Sequence, residues 1–204
     1  NNGNVEIRDA EHIWGEPTKV AQELIRKELN DKLVRIALIG PAGERLVRYA
    51  CILNELKFAN GRGGLGAVMG TKQLKAIAVR GRNRPKFKNH EKIREIAKWF
   101  AENWRRFPGT IRRSTYGTAD GLLSLNTDGT LPTKNFKGGS FEGADRISGE
   151  YMRDTILIGT EGCYACPIRC KRVVRGKDPY VTDPDYGGPE YETIAALGSL
   201  CCID

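Results

Sequence analysis

The feature that most constrains this chain is a run of three cysteines, Cys163-Tyr-Ala-Cys166-Pro-Ile-Arg-Cys170. Three thiols in so short a run cannot all be paired with one another as disulfides, and thiolates are the ligands that soft metal centres select. The spacing C-x-x-C-P-x-x-C fits a 4Fe-4S cluster, for which a compact loop supplies three ligands and a distant cysteine supplies the fourth. The run therefore predicts a metal centre ligated by Cys163, Cys166 and Cys170.

Two other interpretations of the run stay open. A zinc site is one, although zinc ribbons usually draw their ligands from two separated cysteine pairs. A thioredoxin-like redox pair at Cys163 and Cys166 is the other, but no βαβ pattern precedes it. The remaining cysteines lie in apolar runs and are predicted to be core residues: Cys51, Cys201 and Cys202. Six cysteines without a secretory signal favour a reducing, cytoplasmic compartment.

The charge of the chain favours an acidic partner. The formal net charge is +8, and basic residues concentrate around the thiols. We expect either a solvated loop or a docking surface for an acidic electron carrier, because opposite charges steer encounter. No apolar run approaches twenty residues, so no membrane span is expected. The basic residues of this predicted surface are Arg153, Arg169, Lys171, Arg172, Arg175 and Lys177.

The hydrophobic pattern predicts an α+β part followed by a mainly helical part. Strands are expected at residues 5–7, 34–39, 47–51 and 74–79, a helix at 17–29 and a turn at 40–43. A basic, proline-bearing segment then marks a boundary between residues 84 and 85. Beyond it, Asn89 is predicted to cap a long helix ending at Pro108. Helices are also expected at 118–125 and 147–157, the latter leading directly into the cysteines, with an irregular segment at 132–143.

Two further motifs carry candidate chemistry. Gly61, Gly63 and Gly66 satisfy G-x-G-x-x-G, but Arg80 and Arg82 stand where a dinucleotide site needs an acidic residue. Glycines that open a short helix let a phosphate-bearing or polycyclic cofactor approach the backbone, with Arg62 adding positive charge; a tight structural turn is the alternative.

A pair of carboxylates, Glu190 and Glu192, precedes the last apolar segment. Carboxylates in a first helical turn suit the helix dipole. The functional alternative is a general acid or base near the redox centre. That last apolar segment shows no helix stop signal, so we expect an internal piece of a longer protein.

Seven segments together resemble the tungsten-containing aldehyde:ferredoxin oxidoreductase family, in the family's order: residues 6–10, 12–15, 40–44, 61–70, 74–79, 163–170 and 188–192. The resemblance implies a three-domain enzyme. Its α+β first domain lies under a tungsten (or molybdenum) bis-pyranopterin, and two largely helical domains follow. Residues 1–84 would be the end of the first domain, and residues 85–204 the beginning of the second.

The resemblance also assigns residues. Cys163, Cys166 and Cys170 match three of the four cluster ligands, and the fourth belongs to a later segment. Glu192 matches a carboxylate near the metal with a proposed proton-transfer role. Phe58 departs from the family, which often has a basic residue there, and Asn60 replaces a small residue. The stretch that approaches the pterin comprises Ala59, Gly61, Arg62, Gly63 and Gly64.

The expected reaction of the intact protein is oxidation of a small aldehyde with water to a carboxylic acid, with electrons passing through the 4Fe-4S cluster to ferredoxin. The isolated segment is expected to be inactive. One alternative is a related tungsten or molybdenum enzyme with another substrate, such as a reductase subunit. The other is a zinc knuckle that binds nucleic acid. The aldehyde oxidoreductase interpretation expects no nucleic-acid partner. The residues do not define an oligomeric state, and a homo-oligomer stays open.

Overall fold

The computed structural model describes residues 4–81, 83 and 86–204. The chain forms two compact units, Asn1–Lys86 and Phe87–Asp204. The predicted boundary after Arg84 lies outside the described residues. Within the described ranges, no helix is both long and apolar enough to cross a bilayer.

The first unit is built on a four-stranded antiparallel sheet with the strand order β3-β2-β1-β4. Strand β1 is central, and its Ala37 lies opposite Asn54 on one side and Ile77 on the other. A 3₁₀ turn at Glu11–Ile13 precedes the first helix. The strands are β1 (Arg35–Leu38), β2 (Ile52–Asn54), β3 (Phe58–Asn60) and β4 (Ala76–Val79), and the helices are α1 (Thr18–Glu28), α2 (Pro41–Glu44) and α3 (Leu65–Thr71).

Helix α1 forms where the sequence predicts a helix, and it packs on the sheet. Pro17 precedes its first turn, where a fixed φ and a missing N–H cost nothing. Ala21 and Ile25 are buried against the strand residues Ile36 and Leu38. Each such aliphatic side chain contributes about 1.5–3 kcal/mol when fully removed from water, so this layer is the main apolar core of the unit.

A buried ion pair fastens the unit beside its apolar core. The Lys75 side chain is inaccessible to solvent and contacts the Glu44 carboxylate, which is 5% exposed. Lys75 Nζ also donates to the Glu16 carbonyl at 3.0 Å, and Glu44 accepts from the Gly15 N–H at 2.9 Å. Because each charged group has several partners, α2, the start of β4 and the segment before α1 are held together at one point.

Three expectations for the first unit are wrong. Residues 47–51 form turns rather than a strand, because the Ala50 carbonyl accepts from the Gly66 N–H of the glycine segment at 2.9 Å. Residues 40–43 are not a free turn, since Gly40 caps α2. Residues 5–7 have no strand partner within the described chain, and Val5 and Ile7 are 89% and 95% exposed.

The second unit combines short helices with one two-stranded hairpin. Its apolar centre is formed by Leu122, Leu131 and Ala144. The regular elements are α4 (His90–Asn103), α5 (Pro108–Tyr116), α6 (Leu122–Thr127), α7 (Gly149–Thr155), β5 (Leu157–Glu161), β6 (Lys171–Val174) and α8 (Tyr191–Ile194), with 3₁₀ turns at Trp104–Arg106, Gly117–Gly121 and Pro184–Tyr186 and a π-type turn at Ala195–Ser199.

For helix α4, the sequence predicts the first residue correctly but not the last. Asn89 caps α4 as predicted, since its side chain accepts from the Lys92 N–H at 2.9 Å. However, α4 ends at Asn103, and Pro108 begins α5 instead of ending α4. A proline at the first helical position loses no hydrogen bond, so it is as good a start signal as a stop signal.

The hairpin corrects the prediction of a helix that leads directly into the cysteines. Helix α7 ends at Thr155, and β5 lies between it and the cysteine run. Residues 132–143 are irregular, as predicted, with one bridge between Thr133 and Gly138. The observed architecture is thus α+β, with a small sheet in each unit.

Candidate metal centre

The cysteine run is the loop of the β5–β6 hairpin. Glu161 and Lys171 pair across its base, so the two ends of loop 162–170 are held one strand spacing apart. Inside the loop the Cys166 N–H donates to the Cys163 carbonyl at 3.0 Å. Ala165 and Arg169 adopt positive φ values of 56° and 52°, which non-glycine residues rarely do. The hairpin therefore holds the loop in a defined and locally strained conformation.

The three thiols of the loop are free and differ in exposure. Cys163 is exposed, whereas Cys166 and Cys170 are half-buried. Burial raises the pKa of the Cys170 thiol, and the nearby Glu190 carboxylate and the other two sulfurs raise it further. These surroundings thus disfavour the thiolate form of Cys170.

The donor set is chemically suited to an iron–sulfur cluster, because all three donors are soft sulfurs. In the part of the chain that the structure describes, no three His, Cys, Asp or Glu side chains are close enough to hold one metal ion. A cube takes one thiolate at each iron, so its ligand sulfurs lie farther apart than those of one ion. The three soft sulfurs on this partly buried loop could serve as three of the four thiolate ligands of a cluster.

Arg172 is the residue that the sequence placed wrongly. It was expected on a basic surface, but it is 3% exposed. Its Nε donates to the Cys170 carbonyl at 3.1 Å, and one terminal nitrogen donates to the Arg169 carbonyl at 2.8 Å. The guanidinium also donates to the carbonyls of Thr115 at 2.8 Å and Ser114 at 3.0 Å, in the last turn of α5. Arg172 therefore joins the loop to a helix C-terminus.

The start of α8 is fastened to the same hairpin. Lys171 forms an ion pair with Glu190, the residue that precedes α8. The Tyr191 N–H donates to the Thr118 hydroxyl at 2.8 Å. A Cβ on Gly188 would lie 2.8 Å from a Val174 methyl group, so only glycine permits this close approach. The sequence suggested a helix-start carboxylate or a general acid or base at Glu190 and missed its contact with the cysteine hairpin.

Glu192, the candidate catalytic carboxylate, is exposed in the first turn of α8. Burial raises the pKa of the neighbouring Tyr191 phenol, and Glu192 adds to that rise. The geometry leaves the carboxylate accessible, and its position depends on the fastening of α8 to the hairpin.

The glycine segment of the first unit divides into two kinds of position. Gly64 and Gly66 are buried, and a Cβ on Gly66 would lie 2.5 Å from the Cys51 carbonyl oxygen. Gly64 also has a φ of 67°. By contrast, a Cβ on Gly61 or Gly63 would meet nothing within 4 Å. Packing thus explains Gly64 and Gly66, but it gives no reason for glycine at Gly61.

The predicted pterin contacts form an exposed strip on the first unit. Ala59 belongs to the edge strand β3, where it pairs with Leu53. Ala59, Gly61, Arg62 and Gly63 are exposed. Only Gly64 is buried, at the point where α3 begins. The accessible part of this strip therefore consists of four of the five residues, with open space at Gly61 and Gly63.

The predicted basic surface is smaller than expected. Arg172 is buried and Lys171 is paired with Glu190. Arg153 forms an ion pair with Asp154. The other exposed residues of the predicted basic surface are Arg169, Arg175 and Lys177.

The cysteines outside the loop were predicted to be core residues. This prediction is wrong for Cys201 and Cys202, which are exposed, and Cys51 is half-buried.

Comparisons with known proteins show the family of the chain. The family model of aldehyde ferredoxin oxidoreductase, N-terminal domain, matches residues 1–81, and that of domains 2 & 3 matches residues 95–204. The chain belongs to the aldehyde ferredoxin oxidoreductase family. The second match covers more than half of the chain and includes all three loop cysteines and Glu192.

Named relatives of this family member include tungsten enzymes of two archaea. The chain is 44% identical over 199 residues to the tungsten-containing aldehyde ferredoxin oxidoreductase of Thermococcus kodakarensis, covering 96% of the chain and 32% of that protein. Identity to the Pyrococcus horikoshii enzyme of the same name is 43% over 202 residues, covering 98% of the chain and 32% of that protein. The chain thus spans about a third of the length of these relatives.

Two more distant members of the comparison carry other names. The aliphatic sulfonate oxidoreductase, WOR-like subunit, of Pyrococcus furiosus is 27% identical over 217 residues, covering 97% of the chain and 34% of that protein. Among solved structures, the active site complex BamBC of benzoyl coenzyme A reductase matches with a TM-score of 0.68 and 27% identity. That match covers 98% of the chain and 32% of the solved chain.

Proposed function

We propose that the protein containing this chain is a tungsten-dependent oxidoreductase that oxidises a small aldehyde with water to a carboxylic acid. The reaction releases two electrons and two protons, and the electrons leave for ferredoxin or a similar acidic carrier. The family and the names of the relatives support an oxidoreductase. The observation that carries the electron-transfer part is the single hairpin loop with three free thiols.

Each candidate residue has one role in this proposal. When bound, the tungsten (or molybdenum) bis-pyranopterin and the 4Fe-4S cluster supply the two-electron oxidation and its one-electron relay. Cys163, Cys166 and Cys170 would hold three irons through their thiolates. The fourth thiolate would come from a segment outside this chain.

The exposed glycine strip would let the pterin approach the backbone. Gly61 and Gly63 leave open space for a flat ring system, and Arg62 would offer a planar positive fork to its phosphate. Gly64 would turn the chain from the strip into α3 through its positive φ of 67°. Ala59 would fix the register of the strip through its pairing with β2.

Glu192 would accept the proton from the attacking water. A general base must lie within hydrogen-bond reach of the proton that it accepts, so the position of this carboxylate is the first requirement. The fastening of α8 to the hairpin through Lys171 and Glu190 would provide that position.

The domain organisation belongs to the same proposal. Residues 1–84 would be the end of an α+β pterin-binding domain, and residues 85–204 the beginning of a helical domain in a three-domain enzyme. The two family matches, to an N-terminal domain and to domains 2 and 3, support this division.

A second candidate is a related enzyme with another substrate. The observation behind this candidate is the similarity of the chain to a sulfonate oxidoreductase subunit and to benzoyl coenzyme A reductase, whose names do not mention an aldehyde. Family membership disfavours the zinc-knuckle interpretation.

The test uses the full-length protein prepared without oxygen. We expect tungsten, iron and acid-labile sulfide in the preparation, and reduction of ferredoxin on addition of a short aldehyde. Activity with an aliphatic sulfonate or a coenzyme A thioester, and none with aldehydes, would support the second candidate. Zinc as the only metal would contradict both.

A further inference from the structure

Arg172 carries a buried charge that is only partly offset: burial lowers the pKa of its guanidinium, and the more distant Cys170 and Glu190 side chains oppose that lowering. Its side chain is 3% exposed, and its four hydrogen-bond acceptors are neutral carbonyl oxygens. No carboxylate lies within ion-pair distance among the residues that the structure describes. Glu190 is nearby, but it contacts Lys171. A buried cation without an anionic partner is costly, so this position calls for a negative group close by.

The carbonyls that Arg172 contacts indicate where that negative group belongs. Two of them, at Arg169 and Cys170, are in the cysteine loop itself. The other two end α5, where the helix dipole also favours a positive charge. The guanidinium is therefore fixed by α5 directly behind the loop that presents the thiols. A cluster held by thiolates has a net negative charge, and its potential depends on nearby charges.

We propose that Arg172 is the buried counter-charge of the cluster and raises the reduction potential of that cluster, in addition to positioning the Cys170 end of the loop. This proposal rests on the proposed function, since it needs a cluster in the loop. A reduced cluster has one more negative charge than an oxidised one, so a fixed positive charge favours reduction. Arg172 acts through charge and through the loop backbone, and it is a positioning residue rather than a ligand.

The charge and the hydrogen bonds of Arg172 can be separated by two substitutions. Arg172→Lys keeps the positive charge but loses the planar fork that reaches four carbonyls. Arg172→Gln removes the charge and keeps a polar side chain. Arg175→Gln is the matched control, because it removes one positive charge from an exposed position three residues further along. Solvent screens that charge.

The experiment is a redox titration of the cluster in the anaerobic full-length protein, followed by electron paramagnetic resonance, with iron and sulfide analysis. We expect Arg172→Gln to lower the midpoint potential by the equivalent of a tenfold change in the ratio of reduced to oxidised cluster, about 59 mV for one electron. Arg172→Lys and Arg175→Gln should stay near the wild-type potential. Loss of the cluster in Arg172→Gln, with the cluster retained at its normal potential in Arg172→Lys, also supports the counter-charge.

Three results would overturn the proposal. The first is a wild-type midpoint potential in Arg172→Gln. The second is that Arg172→Gln and Arg172→Lys lose the cluster equally or shift its potential equally. That second result would mean that Arg172 acts only through its hydrogen bonds to the end of α5 and the loop. The third is an equal shift in Arg175→Gln. An iron-free wild-type protein is a different failure, because it would remove the cluster of the proposed function and this inference with it.

Discussion

The glycine segment and the cysteine hairpin are both candidate cofactor sites, but they are held in opposite ways. In the glycine segment, backbone packs directly on backbone, and the missing Cβ atoms of Gly64 and Gly66 make that possible. In the hairpin, long side chains connect separate elements: Arg172 contacts carbonyls of α5, and Lys171 contacts Glu190 before α8. The first kind of site tolerates no added atom at Gly64 or Gly66, whereas the second depends on charges that can be changed one at a time.

The largest effect should come from adding a methyl group to the glycine segment. Gly66→Ala places a Cβ 2.5 Å from the Cys51 carbonyl oxygen, so the backbone must move, and we expect the free energy of unfolding to fall by about 3 kcal/mol. Scanning calorimetry of the full-length protein would measure the loss.

Gly61→Ala is the matched control for this substitution. A Cβ at Gly61 would meet open space, and the φ of Gly61 is not positive. Its stability should change by less than about 0.5 kcal/mol, while tungsten and pterin content should fall. Full pterin content in Gly61→Ala would show that the open space does not serve the cofactor.

Glu192→Gln should reduce turnover by about a hundredfold if the carboxylate accepts a proton. The side chain is exposed, so metal content and thermal stability should stay at the wild-type level. Steady-state assays with a short aldehyde would measure the effect, with Glu142→Gln, another exposed glutamate of the same unit, as the control. Unchanged turnover would leave Glu192 with the helix-dipole role alone.

Glu190→Gln tests whether side chains hold the hairpin to α8. The substitution leaves Lys171 without its carboxylate, and the two side chains are 17% and 30% exposed. Because solvent screens part of the interaction, we expect a loss of about 1 kcal/mol in stability. Chemical denaturation of the full-length protein would measure it. No change in stability, with no change in turnover, would show that the ion pair does not position α8.

The smallest effect concerns the surface of the hairpin. If Arg169, Arg175 and Lys177 attract an acidic carrier, raising the ionic strength should slow reduction of ferredoxin severalfold and leave reduction of a small neutral dye unchanged. Arg175→Gln should weaken the salt dependence. An equal salt response for both acceptors would argue against electrostatic docking.

The sequence predicted local features well and long-range contacts poorly. The helix after Pro17 and the cap at Asn89 follow from the preferences of single residues, so both are confirmed. The cysteine hairpin was missed although Leu157, Ile158, Val173 and Val174 flank the run, because a pair of apolar residues on each side was too short a pattern for a strand.

The environment of Arg172 could not be predicted in the same way. Its partners Ser114 and Thr115 precede it by more than fifty residues, and only the fold brings α5 next to the hairpin. The prediction that Arg172 is a surface charge followed from the fact that most arginines in folded proteins are exposed. The candidate cluster ligands, by contrast, were visible at once because the loop places three thiols within one short segment.

The central claim is that one hairpin loop holds three corners of an iron–sulfur cube. The most direct test is Mössbauer spectroscopy, with iron and sulfide analysis, of anaerobic full-length protein and of Cys166→Ser, with Cys201→Ser as the control thiol. We expect the signals of a 4Fe-4S cluster in the wild type and in Cys201→Ser, and loss of that cluster in Cys166→Ser. An unchanged cluster in Cys166→Ser, or zinc in place of iron in the wild type, would contradict the account.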